Sequence, residues 1–401
     1  MEQTWSIKGL LGCISLKKYE TLIPYFALLV FTAFAANLNH SNPFRYIVFI
    51  GATISIVGFR YEVGFDWPGY KFQFSELGEL GVIDFFSQLP MLVVLYSQEP
   101  IYLIISYFSS IALPTYEYMQ VGITALFMYS TLKLGKAMGV RNIIAAFIPI
   151  HLFLLFTLEF SAVRQIIAMS LFNLGLAFFL ENRKKVSIWF YSTALFTQAS
   201  TSLYLLVQLW TRVSSKWSKV AIILSGVLAI FLASGGLELL PVSMLPGFVG
   251  AKLNYYFFAR NYQYNTLEQV FYIGVFLAII LILVRAGARM EGRLLFISKM
   301  IVFLCLFAFM AFWINTIRNR LMYEIIILTS LLVYGPAFQW QRVLRYILIS
   351  SGCLFFMISL TKHTSLMYVP YQNYVWYQMN DYKSDGLDRF ERLREFMLRN
   401  R

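Results

Sequence analysis

Residues 143–180 read IIAAFIPIHLFLLFTLEFSAVRQIIAMSLFNLGLAFFL, and the ionisable side chains in them are His151, Glu159 and Arg164 alone. One crossing of a bilayer's hydrocarbon core takes roughly 20 residues, so a run of this length holds two. It divides into apolar segments at 142–158 and 161–180. Neither alternates with a period of two. Each therefore reads as a helix that satisfies its own backbone in lipid, and not as a strand of a closed barrel.

Working outward, similar runs recur near 22–39, 44–59, 100–114, 118–134, 187–209, 219–234, 267–284, 297–314, 321–335 and 343–360. Of the 401 residues, 59% are hydrophobic before the 23 glycines are counted, and only 13% are charged. Soluble proteins carry about 45–50% apolar residues with glycine included, so a soluble globule is excluded. The pattern predicts an all-α polytopic integral membrane protein, a single transmembrane domain over 1–401 with about twelve transmembrane or re-entrant helices. The longest polar stretches are 1–21, 60–99, 235–266 and a C-terminal tail at 361–401, which leaves no separate soluble domain. No internal repeat of the transporter kind is visible. The first 20 residues lack an A-x-A cleavage pattern, so the first span is expected to stay in the protein.

The net charge of +13 falls between the apolar runs, where Lys and Arg orient membrane helices; it does not point to nucleic acid. The clusters around Lys133, Arg183, Arg212 and Arg285 share the cytoplasmic side only if 187–209, interrupted by polar residues 197–202, is a hairpin that returns. With 100–114 re-entrant or peripheral, the external side then receives 60–99, 235–266, the Arg318 and Arg320 connection and the tail.

Segment 60–99 holds Glu62, Asp66, Glu76, Glu79, Asp84 and Glu99 among Tyr61, Phe65, Trp67, Tyr70, Phe72 and Phe74. Carboxylates accept from sugar hydroxyls and rings stack on C–H faces, so this is either a saccharide surface or a solvated loop. The chain turns at Gly64 and restarts near Pro68 with Asp66 as N-cap. Glu99-Pro100 also reads as a helix start. Arg60 is an interfacial anchor or an anion ligand. Arg164, costly in lipid unless paired, has either Glu159 or a bound anion as partner. Arg318 and Arg320, joined by Lys252 and Arg260, are suited to clamping phosphate oxygens bidentately.

His40, His151 and His363 are isolated in sequence, and His151 reads as a packing or hydrogen-bonding residue. Cys13, Cys305 and Cys353 form no CxxC pair and read as packing residues. GxxxxGKS/T, HExxH, DxD and GxSxG patterns are absent, so no metal site and no cofactor is predicted.

Three motifs in order resemble the polysaccharide polymerase family that includes Wzy O-antigen polymerases and EpsG-type exopolysaccharide proteins. Arg60-Tyr61-Glu62-Val63-Gly64-Phe65-Asp66 with Tyr70 resembles its R-x-x-V-G-x-D-x-x-x-Y. Glu99-Pro100-Ile101-Tyr102 resembles its E-P-x-F/Y. Val163-Arg164-Gln165-Ile166-Ile167-Ala168, then Arg183-Lys184-Lys185, then Gln198 and Ser200, resembles its R-x-x-I/L-A, lysine turn and H-x-S. Tyr368-Val369-Pro370-Tyr371 is similar to its proline-tyrosine ending. Where the family usually has histidine this chain has Gln198, which can hold a hydroxyl but cannot take its proton.

The resemblance implies a GT-C-like glycosyltransferase that elongates a surface glycan on an undecaprenyl diphosphate carrier at the periplasmic face of a bacterial inner membrane. Its partners would be the lipid-linked oligosaccharide, membrane lipid and a chain-length regulator protein. On this reading Asp66 or Glu62 is the general base, and Arg164, Arg318, Arg320 and Arg60 bind the diphosphate. Glu99, Gln198, Tyr70 and Arg260 meet the glycan. An O-antigen ligase and a flippase for the same lipid-linked unit are the alternatives.

Overall fold

A computed structural model describes residues 22–39, 41–64, 66–96, 98–160, 162–198, 200–211, 266–287, 290–310, 315–336, 338, 340–361 and 371–379. Among these residues the chain is helical throughout, with a single isolated antiparallel bridge, Arg60 to Asn373. The first ten helices are α1 Ile23–Asn37, α2 Phe44–Thr53, α3 Trp67–Gly78, α4 Val82–Leu95, α5 Pro100–Ala112, α6 Tyr116–Ala137, α7 Ile143–Leu154, α8 Val163–Leu180, α9 Lys184–Thr197 and α10 Thr201–Trp210. Then come α11 Thr266–Gly287, α12 Gly292–Met310, α13 Asn315–Val333, α14 Gln341–Thr361 and the short α15 Tyr374–Met379. The predicted run at 219–234 and most of segments 235–266 and 361–401 lie outside the described residues.

Among the described residues, four helical stretches are long and apolar enough to cross a membrane: Val163–Leu180, Val270–Gly287, Gly292–Phe309 and Gln341–Leu360. Ile23–Asn37, Phe44–Gly58, Val82–Leu95, Pro100–Ala112 and Ile143–Glu159 are shorter apolar helices. Phe26, Val30, Leu277, Leu281, Leu354 and Met357 face outward, the inverse of a soluble surface, as a chain bathed in lipid requires. The protein is membrane-embedded. Helix α8 is 83% buried and central, whereas the crossing windows of α11 and α14 are 33% buried and peripheral.

Segment 60–99 differs from its reading as one polar stretch. It contains two helices, and α4 is apolar, with Ile83, Phe86, Val94 and Leu95 exposed. Of the aromatic residues near its start, Tyr61, Trp67, Tyr70 and Phe74 are buried while Phe72 is exposed, so most of these rings are core and not a sugar-stacking face. The stretch at 187–209 breaks where its polar residues predicted, with Gln198 extended between α9 and α10.

Among the described residues two π turns shape the interior, Ile54–Gly58 after α2 and Leu155–Glu159 after α7. A wide turn at a helix end leaves carbonyls without helical partners. The C-terminal strand of chain satisfies the first one: Tyr371 Oη donates to Ile56 O at 2.8 Å and Asn373 Nδ2 to Ser55 O at 2.7 Å. Arg60 Nη1 donates to Val57 O at 2.8 Å. Tyr374 N to Phe59 O and Tyr61 N to Gln372 O close the seam.

At the other end, Asn142 caps α7 through the Ala145 amide, accepts from Arg45 and donates to Ala36 O. One amide thus ties the starts of α7 and α2 to the end of α1. Helix α9 lies so close to α8 that a Cβ on Gly175 would fall 2.5 Å from Tyr191 Cδ1. Gly175→Ala is therefore expected to cost about 1–3 kcal/mol through forced displacement of the ring. A thermal unfolding midpoint in detergent equal to that of the parent protein would contradict this packing.

Candidate functional site

The site grows from the start of α8. Arg164 is the second residue of that helix, which follows the π turn at Leu155–Glu159. Its Nε donates to the Tyr70 hydroxyl at 3.1 Å and its Nη1 to Glu99 Oε2 at 2.9 Å. The side chains of Arg164 and Glu99 keep 21% and 11% of their surface, so the pair sits at a boundary and not in a sealed core. A charge-assisted bond there is stronger than a surface ion pair because water screens it less.

Arg164 thus pairs with Glu99 and not with Glu159, the internal partner considered from sequence. Glu159 instead meets His151, with Nδ1 at 2.9 and 3.0 Å from its two oxygens. Eight residues of α-helix advance about 12 Å and turn about 80° past the starting face. The π turn changes that phase and swings Glu159 back towards His151. His151 is a hydrogen-bonded core residue, but it is not isolated.

Glu99 occupies the N-cap position of α5 as the Glu99-Pro100 pair predicted, yet its carboxylate reaches Arg164 and caps nothing. Tyr70, on α3, is buried with its ring edge-on to Tyr102 at 5.4 Å. Burial pushes its phenol above the ordinary tyrosine range, against the opposing pull of Arg164. The Tyr70 hydroxyl serves here as a hydrogen-bond acceptor for Arg164. Asp66 and Arg320 also act on it electrostatically, with opposite signs.

Arg320 comes from α13. With its amide oxygen turned towards the guanidinium, Gln198 accepts from Arg320 Nη1 and Nη2 at 2.9 and 3.2 Å. A further chain locks this corner. Ser200 Oγ donates to Gln165 Oε1 at 3.0 Å and Gln165 Nε2 to Tyr204 Oη at 2.9 Å. Tyr204 Oη in turn donates to the Arg320 carbonyl at 2.6 Å. The break between α9 and α10, the start of α8 and the start of α13 are sewn together beside Arg164.

The remaining predicted residues separate. Arg318, two residues from Arg320, is turned about 200° away on the helix. It is buried over the Tyr272 ring at 4.8 Å and donates to Asn319 Oδ1. Arg60 is not an interfacial anchor: it is buried, bonded to the π-turn carbonyl and lies 5.8 Å from the Phe160 ring centre. Glu62 is buried with φ of 54°, a left-handed conformation that a non-glycine residue holds only under local constraint. Gly64 follows with φ of 109°, which completes the predicted turn. Asp66 takes the N-cap position of α3 but makes no capping bond through its side chain, and it is exposed. Arg260 and Lys252 lie outside the described residues.

Sequence reasoning missed Gln165, Tyr204 and Lys71. Gln165 and Tyr204 are polar groups inside apolar runs, a signal that was available. Lys71 lies over Trp67 and Tyr61 at 4.5 and 4.8 Å and 3.6 Å from buried Glu117, which pins α3 to α6. Among the described residues no group of three His, Cys, Asp or Glu side chains is placed to hold a metal ion.

Two arginines, an amide, a phenol and a carboxylate from distant parts of the chain thus come together beside the start of α8. The family model described as the EpsG family matches residues 43–373, and the chain belongs to that family, as its motifs indicated. Membership assigns it a polymerase-type, glycosyltransferase-like role in exopolysaccharide or O-antigen assembly. No curated protein and no solved structure matches it.

Proposed function

We propose that the protein joins undecaprenyl-diphosphate-linked oligosaccharide repeat units into a surface polysaccharide at the periplasmic face of a bacterial inner membrane. The chain would have about twelve transmembrane or re-entrant helices in a GT-C-like arrangement. The observation that carries this reading is the meeting of Arg164 with Glu99 and Tyr70, and of Arg320 with Gln198, around one point reached from distant parts of the chain. A lipid-linked diphosphate needs fixed cations at the membrane surface, and a glycan needs acceptors and hydroxyl groups beside them.

In the reaction, a hydroxyl of the incoming repeat unit attacks the anomeric carbon of the donor chain. The new glycosidic bond forms as the bond to the diphosphate oxygen breaks. Negative charge grows on the departing diphosphate. Arg164 and Arg320, preorganised by their hydrogen bonds, stabilise it; one such donor is worth about 3–4 kcal/mol. The carrier bond is already activated, so the step requires neither a nucleotide nor a metal. Asp66 takes the proton of the attacking hydroxyl. It is exposed, does not cap α3, and acts electrostatically on both Tyr70 and Tyr323 beside the arginines. Glu62, buried in its left-handed turn, suits a structural part better. A chain-length regulator would then act on the growing polymer.

The decisive experiment supplies purified protein in liposomes with lipid-linked repeat units and resolves the glycan products. A ladder of lengths is the expected result. Transfer to a lipid core acceptor would make the protein a ligase, and lipid movement without new bonds a flippase. Asp66→Asn should lower the elongation rate about 10²- to 10⁴-fold with donor binding retained; an unchanged rate would remove Asp66 from the mechanism.

A further inference from the structure

Arg164 is held by Tyr70 on α3 and by Glu99 at the head of α5, so the place of its guanidinium depends on how those two elements are spaced. A second polar contact sets that spacing. Gln73 follows Tyr70 by one turn on the same side of α3, and its Nε2 donates to Gln98 Oε1 at 2.8 Å. Gln98 immediately precedes Glu99, and its backbone amide donates to Val93 O at 3.2 Å, which fastens it to the end of α4. One turn further along α3, Glu76 accepts from Tyr96 Oη at 2.7 Å. Tyr70, Gln73 and Glu76 thus face Glu99, Gln98 and Tyr96 in turn, the first pair through Arg164. The middle pair is the buried one: Gln73 and Gln98 keep 1% and 9% of their surface, whereas Glu76 is exposed. Among the described residues Gln73 Oε1 has no hydrogen-bond partner, and two apolar side chains of that size would fill the space without stranding an acceptor. What the amides supply is direction. Apolar contacts are non-directional, but a donor and an acceptor in a low dielectric hold one register.

We propose that Gln73 and Gln98 are positioning residues, an amide clasp that keeps Tyr70 and Glu99 at the separation from which both hold the Arg164 guanidinium. The inference rests on the reading of Arg164 as a ligand of the departing diphosphate. Both glutamines act through the orientation of Arg164 and need not touch the donor. A guanidinium already aimed where charge grows stabilises the transition state without rearranging, and a shift of about 1 Å forfeits much of that effect.

The test is a double-mutant cycle on elongation in liposomes. Gln73→Met keeps the length of the side chain and removes its hydrogen bond. In the otherwise unaltered protein it should lower kcat on the order of tenfold, with KM for the lipid-linked donor little changed, the mark of an interaction made in the transition state. In an Arg164→Ala background the same substitution should cost nothing further, because the group it positions is gone. A merely structural residue would lower the rate by the same factor in both backgrounds. Gln98→Met should behave alike and serves for the cycle if Gln73→Met does not fold, and the two methionines together should be no slower than either alone. A Gln73→Met rate equal to that of the parent, or losses that multiply in the Arg164→Ala background, overturns the proposal while leaving the polymerase reading intact. If the parent protein forms no ladder, or Arg164→Ala forms it at the parent rate, it is the underlying reading which fails.

Discussion

Arg164→Ala is expected to reduce elongation in liposomes by about 10²- to 10³-fold, the loss that follows removal of one preorganised donor from a developing negative charge. Arg164 is suited to this part because its guanidinium is held by Tyr70 and Glu99, so little reorganisation is needed when the diphosphate arrives. Arg164→Lys should recover only part of the rate. An ammonium keeps the charge, but a point charge on a flexible stem cannot reproduce the planar fork that meets a phenol and a carboxylate together.

Removing the arginine also strands Glu99 in a largely buried place, at a cost of about 1–3 kcal/mol. The double variant Arg164→Ala with Glu99→Gln should therefore regain thermal stability without regaining activity. That separation of stability from rate distinguishes a binding cation from a structural ion pair. Recovery of the product ladder in the double variant would mean that the pair only holds the fold.

The second large effect is a contrast between neighbours. Arg320→Ala should shorten the ladder to single additions, with a rate loss on the order of 10²-fold, because Arg320 faces Gln198 and the Tyr70 group. Arg318→Ala should retain elongation within a few-fold. Its guanidinium lies over Tyr272 on another side of the helix, so its loss should appear as about 0.5–2 kcal/mol of stability. Comparable rate losses in both variants would show that the helix face does not decide which arginine serves the diphosphate, and the site would have to be redrawn.

The two residues also show where sequence reading stopped. Arg318 and Arg320 stand one residue apart and carry the same charge, so nothing local distinguishes them; the rotation of α13 against α10 and α11 does. Arg164 was marked by its isolation in a long apolar run, a signal that depends only on the cost of charge in lipid. Its partner was not, because Glu99 is 65 positions away and Glu159 is only five. Glu159 was withdrawn from the choice by a π turn that no residue pattern announced. Likewise the burial of Tyr61, Trp67 and Phe74 could not be read from a segment whose carboxylates made it look like an exposed surface.

What the amino-acid order determined by itself was the class and the sites of interruption. Long apolar runs must be helices in lipid, Pro and Gly set the turns near Gly64 and Pro100, and polar residues broke the helix at Gln198. These are properties of short windows, where backbone satisfaction and transfer from water dominate. Only the tertiary structure decided which acid meets which arginine. It also decided which carbonyls the Tyr371 and Asn373 side chains rescue. Such pairings depend on how helices rotate and approach one another, and that is set by packing summed over the whole bundle.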